Sequence, residues 1–515
     1  MTRFAVFIAV VFGPFGLNRL VADPPNRLAM IEQIDQRLAS RWAAEQIQPA
    51  ARARDQVFFR RVYLDLTGAI PRVSQVRAFL ADPSDHKRQR IIDELLDSPA
   101  HATHMAIRWR NIMLQEQTLS DDALSAAGLQ RWFRDQFVEN MRYDRIVSDF
   151  LVATGSGQTG PALFYTSLEV MPEKLAAATS RVFLGTQIEC AQCHDHPFDR
   201  WKQTDFWGYA AFFARLRQAD NASRPARIED LATGEVMLPD TQDVVLPKFP
   251  GGEPADPDDL GTRREQLAIW MASRNNPYLA RAAVNRTWAH LFGRGLVEPV
   301  DDLGPHNPPS HPELLDELAS YFVRTKFDLR ELYATLSRTE AYQRSSRPAN
   351  DPPAPPKLFN RMALKTLSPD QLYDSLNRIL VRPPPASVPG TVAVSRQFEP
   401  RRQMFLSKIH AESTSPSRYD AGVTQALTLM NGGEIREATN LQQSGVLGSL
   451  DAPFLTNDQR VEILFLATLS RYPSDEEHAK FETYVRQASQ KNQLKSGLAD
   501  VLWALLNSAE FRLNH

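Results

Sequence analysis

Apolar residues recur at helical spacing along almost the whole chain beyond residue 26, broken at short intervals by proline and glycine. Such a pattern leaves few options: helices of moderate length, joined by short connections and packed side by side. Leu28, Ile31, Ile34 and Leu38 open the series. A second helix carries Val57-Phe58-Phe59-Arg60-Arg61-Val62-Tyr63-Leu64-Asp65-Leu66 and stops at Thr67-Gly68, ahead of Pro71. Further helices are expected over 73–82, 86–97, 99–115, 127–154, 172–187, 263–273 and 279–293, the last ended by Gly293-Arg294-Gly295. Leu314, Leu315, Leu318, Tyr321 and Phe322 form another apolar stripe, and Thr456-x-x-Gln459 and Ser474-x-x-Glu477 read as capping boxes.

The helical pattern lapses between 217 and 262. There Arg227–Leu231 and Glu235–Leu238 flank Ala232-Thr233-Gly234 as the arms of a small hairpin, followed by a proline- and glycine-rich acidic loop. The expected fold is mainly α, with two helical domains over 26–216 and 263–515 and a β hairpin or irregular insert over 217–262 between them. Asp351-Pro352-Pro353-Ala354-Pro355-Pro356 is a stiff connector, and 383–400 is a second irregular segment.

Lys and Arg number 59 against 61 Asp and Glu, and no dense basic run appears, which argues against a nucleic-acid partner. Met1-Thr2-Arg3 is followed by the apolar block Phe4–Phe12, and Leu20-Val21-Ala22 precedes Asp23-Pro24. Residues 1–22 therefore read as an export signal. The block falls short of the about 20 apolar residues that span a bilayer. No later segment is long and apolar enough to do so. The mature protein is expected in the periplasm or at the cell surface.

Chemistry concentrates in Cys190-Ala191-Gln192-Cys193-His194-Asp195-His196-Pro197-Phe198-Asp199-Arg200-Trp201, which holds both cysteines of the chain. Cys-x-x-Cys-His is the attachment motif of haem c: two thiols bond the porphyrin vinyl groups and the next imidazole ligates iron. On that reading Cys190, Cys193 and His194 bind the cofactor, and the protein serves a redox or electron-transfer role with a redox or surface partner. Attachment outside the cytoplasm agrees with an export signal. Two other readings compete. Zinc or another divalent metal is held by Cys190, Cys193 and His196, or by His194 and His196 with a carboxylate in a metal-dependent hydrolase. Alternatively a Cys190–Cys193 disulfide staples a non-catalytic secreted scaffold.

His196 cannot be the sixth haem ligand if His194 is the fifth, because two residues span at most about 7 Å. Met171, Met404, Met430 and His306 are the candidates for that place. Asp195 and Asp199 could orient the imidazoles, and the loop 298–313 adds Asp301, Asp302, His306 and His311 as possible supporting groups. Just upstream, Arg286 and His290 fall on one helix face. The aromatic run Phe198, Trp201, Phe206, Trp207, Tyr209, Phe212 and Phe213 suits either a cofactor wall or ordinary packing.

Together, Cys190–Trp201, the preceding Arg181-Val182-Phe183-Leu184-Gly185 and the Phe59–Gly68 segment resemble the first domain of a planctomycete family of exported, cytochrome-like proteins that join two domains of unknown function. Asn285-Arg286-Thr287-Trp288-Ala289-His290-Leu291-Phe292-Gly293-Arg294-Gly295 and Asn307-Pro308-Pro309-Ser310-His311-Pro312-Glu313-Leu314-Leu315 resemble its second domain. So do Ala426–Gly432 and Trp503–Phe511. The resemblance implies export and a cytochrome-like role, and names no reaction.

Overall fold

The computed structural model describes residues 26–114, 123–157, 160–221, 224–259, 261–380, 400–410 and 432–515. The expected export signal, nearly all of the irregular segment 383–400, and Met430 lie outside the described residues. The chain is 58% helix and 5% strand, a mainly α fold with a few small sheets.

The first helix, Arg27–Ala44, starts where the Asn26 side chain accepts from the backbone N–H of Leu28 and Ala29. Its buried ladder is Met30, Ile34, Leu38 and Trp42, an i, i+4 series. Leu28, expected in the stripe, is 67% exposed. The first turn instead meets its neighbour through charge, Arg27 pairing with Glu331. The expected helices at 73–82, 86–97, 99–115, 263–273 and 279–293 are found as Val73–Ala81, Lys87–Leu96, Pro99–Met113, Arg263–Ala272 and Leu279–Phe292. Both capping boxes form, at Thr456 with Gln459 and at Ser474 with Glu477. Two expected helices are divided. The span 127–154 becomes Ala123–Val138 and Tyr143–Leu151, parted where Asn140 turns left-handed. The span 172–187 becomes Pro172–Thr179 and a π turn, Ser180–Leu184, closed by Gly185 at φ +64°.

The hairpin differs from expectation in its pairing. Arg224–Asp230 pairs antiparallel with Leu216–Asn221, and Gly155–Ser156 adds a short third strand. Val236–Met237 instead pairs with Val244–Val245. The local turn signal at Ala232–Gly234 is overruled by the partner preceding Arg224, which offers a longer ladder.

One hydrophobic core runs without interruption from Met30 to Met362 and takes residues from both sides of 217–262. That segment interrupts the helical pattern but not the packing. Phe249 stacks between Phe212 and Trp270, with ring centroids at 4.9 and 5.2 Å. A second core gathers the chain from Leu367 to Phe511, joined by Leu64 and Ile70.

The helix Asp55–Thr67 stands at the meeting of the two cores. Every residue from Phe58 to Thr67 is buried, including Arg60, Arg61 and Asp65. It ends at Gly68, whose φ of +73° favours glycine and whose missing Cβ would lie 2.4 Å from Nδ1 of the buried His104. We expect Gly68→Ala to lower stability by at least ~1 kcal/mol, read from urea unfolding, since both the backbone and the imidazole would have to move. An unchanged midpoint would contradict this expectation.

Candidate functional site

Cys190 and Cys193 are free, exposed thiols at the end of the turn Glu189–Ala191. The helix Gln203–Ala210 anchors that turn. Gln203 Nε2 donates to the carbonyl oxygen of Cys193 (2.9 Å), and Trp207 Nε1 donates to that of Gln192 (3.0 Å). On the other side Arg181 bridges Glu189 and Asp301. The thiols thus sit exposed on a braced turn, and Phe198 further along the motif is 80% exposed.

The two motif histidines are held in opposite tautomers. Nδ1 of the exposed His194 lies 2.7 Å from the carbonyl oxygen of Asp195. A carbonyl only accepts, so Nδ1 carries the proton and Nε2 keeps its lone pair. Nδ1 of His196 accepts the backbone N–H groups of Phe198 (3.2 Å) and Asp199 (2.9 Å), so its proton resides on Nε2. His194 is therefore set up as a ligand through Nε2, the usual arrangement when the other ring nitrogen donates to a carbonyl. His196 is set up to close its own loop, with its backbone N–H also bonded to the Trp201 carbonyl oxygen at 2.8 Å.

Among the described residues, no three His, Cys, Asp or Glu side chains are grouped to hold a metal ion. The expected zinc sets, Cys190, Cys193 and His196, or His194 and His196 with a carboxylate, are accordingly not assembled. The physical reason lies in His196: a metal on its Nε2 would displace the only ring proton while two backbone donors still face Nδ1.

The loop 298–313 docks against this motif, which sequence spacing alone did not require. Leu303 N–H donates to the Gly185 carbonyl oxygen at 2.7 Å, and Gln187 Nε2 donates to Asp301 at 3.3 Å. His306 lies over His196, ring centroids 6.1 Å apart, with Nε2 3.0 Å from Asp302 and Nδ1 3.5 Å from the nearly buried carboxylate of Asp199. The supporting groups Asp199, Asp301, Asp302 and His306 are thus brought together, although neither aspartate beside His306 touches His194. Asp195 instead accepts from the backbone N–H of Gln203 (2.9 Å). His311 is elsewhere, packed on Phe359 with Nδ1 at 3.1 Å from the Ser310 hydroxyl, and burial lowers its pKa to about 4.

Of the four candidate sixth ligands, His306 has both ring nitrogens engaged, and Met430 lies outside the described residues. Met404 is exposed on the helix Pro400–His410, which packs into the second core. Met171 precedes the helix Pro172–Thr179, which packs against the cysteine turn.

Sequence spacing did not single out a second polar cluster, buried around the helix Asp55–Thr67. Its last turn leaves carbonyl oxygens unpaired, and imidazoles cap them: His101 Nδ1 donates to Leu66 O (2.9 Å) and His290 Nε2 to Asp65 O (2.8 Å). The Asp65 carboxylate accepts from Tyr342 Oη (2.8 Å), Asn514 Nδ2 (2.8 Å) and Lys365 Nζ, and Lys365 also donates to the carbonyl oxygens of His290 and Leu291. Arg60 reaches the carbonyl oxygens of Thr468 and Phe511, and Arg61 reaches those of Tyr342 and His515. The legible signal was three charges in an otherwise apolar ten-residue run. Arg286 and His290 share a face as expected, with Arg286 turned toward the carbonyls of Arg181 and Val182 at 3.3 and 3.2 Å.

Comparison with known families places two domains on this chain. Residues 33–218 match a family described as PSCyt2, a protein of unknown function (DUF1549), and residues 263–383 match one described as PSD1, a protein of unknown function (DUF1553). The chain pairs these two domains in that order. No curated protein and no solved structure matches it. The Asp65–His290–Lys365 cluster therefore joins the PSCyt2 domain to the PSD1 domain, while the cysteine turn belongs to PSCyt2 and is braced by the PSD1 loop.

Two outcomes are expected of the buried cluster. Asp65→Asn strands the Lys365 ammonium and should lower stability by about 3–5 kcal/mol in urea unfolding. Burial holds His101 at about 4 and His104 and His290 well below the ordinary value of 6.5. These imidazoles stay neutral when folded and take up protons when unfolded, so their contribution is complete above about pH 6.5 and declines below it. Each removes up to about 1.4 kcal/mol per pH unit, for His101 until its folded value near 4 is reached. A urea midpoint unchanged between about pH 7.5 and about pH 5 would contradict buried neutral histidines.

Proposed function

We propose that this is an exported redox protein that carries haem c covalently on the Cys190–His194 turn, a reading that places it in the planctomycete cytochrome-like family. The observation that carries it is the His194 imidazole, whose Nδ1 is committed to the Asp195 carbonyl oxygen and whose Nε2 is free beside two exposed thiols. These residues fit the group. Cys190 and Cys193 would hold it as thioethers, the S–H of each adding across one vinyl C=C so that no oxidant would be needed. His194 would ligate through Nε2, the Asp195 carbonyl oxygen holding its tautomer and ring plane. His196 stiffens the segment that follows. Bound there, the group supplies one-electron transfer at iron.

The exposure of Cys190, Cys193 and His194 favours exchange of electrons with a docked protein partner over chemistry on a sequestered substrate. Phe198, further along the motif, offers an apolar contact. Export to the periplasm or cell surface is assigned to the segment 1–22, whose basic start and short apolar block read as a signal.

Expression with its own leader in a host that matures haem c tests this directly. We expect a protein heavier by one haem, with a reduced-minus-oxidised visible spectrum. Cys190→Ala with Cys193→Ala should abolish both. His194→Ala should keep thioether attachment in part while altering the spectrum of the ferrous form. A colourless product of unmodified mass in that host would overturn the assignment.

A further inference from the structure

The two short strands Val236–Met237 and Val244–Val245 form an antiparallel ribbon in which Val236 is opposite Val245 and Met237 is opposite Val244. Side chains alternate across such a ribbon, so the first pair turns inward, with Val236 buried, and the second turns out to water. Outward positions of a surface ribbon are ordinarily polar. Here Met237 is 55% exposed, Val244 50%, and Leu246, two residues beyond Val244 on the same side, 60%. Single apolar side chains at a surface need no explanation, but three neighbours on one unpartnered sheet face do.

Carboxylates flank this face. Asp240 and Asp243 stand in the turn that joins the strands. The chain then folds back beside itself, Phe249 N–H donating to the Glu253 carbonyl oxygen (3.2 Å) and Ala255 N–H to that of Pro247 (2.9 Å), which brings Glu253 and Asp256 alongside the continuation of the second strand. Asp258 and Asp259 follow. All six acids are exposed, and none forms an ion pair among the described residues. The one base of this stretch, Lys248, is taken by Asp205 at 2.7 Å. In a chain whose formal charge is only -2, the surplus of acid is concentrated here.

The ribbon shares its support with the cysteine turn. It packs on the helix Gln203–Ala210, where the Gly208 carbonyl oxygen accepts from Lys248 N–H at 2.9 Å, while Gln203 and Trp207 of the same helix hold the carbonyl oxygens of the turn.

We propose that this ribbon is the docking face for a basic one-electron carrier protein, whose apolar patch covers Met237, Val244 and Leu246 and whose rim of cations meets the carboxylates. The inference rests on the redox reading of the cysteine turn given above. Charge selects the occupant. A second copy of this chain would set acid against acid across a two-fold contact, and an anionic membrane or a nucleic acid would be repelled in the same way. A basic surface is instead drawn in and oriented beside the turn.

The full mature chain is titrated by calorimetry with mitochondrial cytochrome c, a basic carrier, and with plant-type ferredoxin, an acidic one, at low salt and at about 200 mM salt. The basic carrier should bind and the acidic one should not, with affinity falling about tenfold as salt is raised. Met237→Ser with Val244→Ser should weaken binding about tenfold, and Asp240→Lys with Asp243→Lys at least as much. Asp475→Lys with Glu476→Lys, at exposed positions of the helix Asp475–Gln490, should leave it unchanged. An unaltered urea midpoint checks that each variant is folded. Titrating the colourless and the haem-loaded chain separately keeps the two readings apart: mass and spectrum decide the haem, and binding decides the face. No binding of the basic carrier at low salt, equal binding of both carriers, equal losses in ribbon and control variants, or a dimer in sedimentation that the ribbon variants dissolve would overturn the docking face.

Discussion

The end of one helix organises this molecule. At the C-terminus of Asp55–Thr67 the free carbonyl oxygens of Asp65 and Leu66 are buried, where an unpaired backbone acceptor is costly. Water cannot reach them, so side chains must. His101 comes from a helix that follows closely in the chain, and His290 from one 225 residues further on. The Asp65 side chain adds Tyr342, Lys365 and Asn514. Folding of the PSCyt2 part is thereby tied to the PSD1 part and to the distal C-terminal helices.

The segment 217–262 lies between helices that share one hydrophobic core. Helices on either side of it contribute to one core, and Phe249 within it is part of an aromatic stack that crosses the boundary. The cysteine turn inherits its rigidity from this arrangement. Gly185 leaves room for Leu303, whose Cδ1 would lie 2.5 Å from a Cβ at that position, and this lets the 298–313 loop settle beside the motif. Arg181, Asp301 and Glu189 then clamp the turn from the side opposite Gln203 and Trp207.

Much of the helical content was legible because burial on one face imposes a period of 3.6 residues, and because Asn26, Thr456 and Ser474 announce their helices chemically. Where the reading missed, a nonlocal partner decided. Arg224–Asp230 took Leu216–Asn221 rather than the closer Val236–Met237. Asn140 broke a pattern whose apolar residues continue on both sides. The buried stripe of the first helix runs from Met30 to Trp42 and leaves Leu28 exposed, while Arg27 in the first turn pairs with Glu331.

By itself the sequence determined that the chain is built of short amphipathic helices, that its only thiols lie three residues apart, and that an imidazole follows them. Periodicity and covalent adjacency are local properties, and each is written in consecutive residues. Tertiary structure alone decided which nitrogen of His194 is free, that His196 is spent on its own loop, and that His306 reaches Asp199 and Asp302. It also decided that burial keeps His101, His104 and His290 neutral. Those outcomes depend on which donors and acceptors burial leaves without water, and that is settled only when distant segments pack.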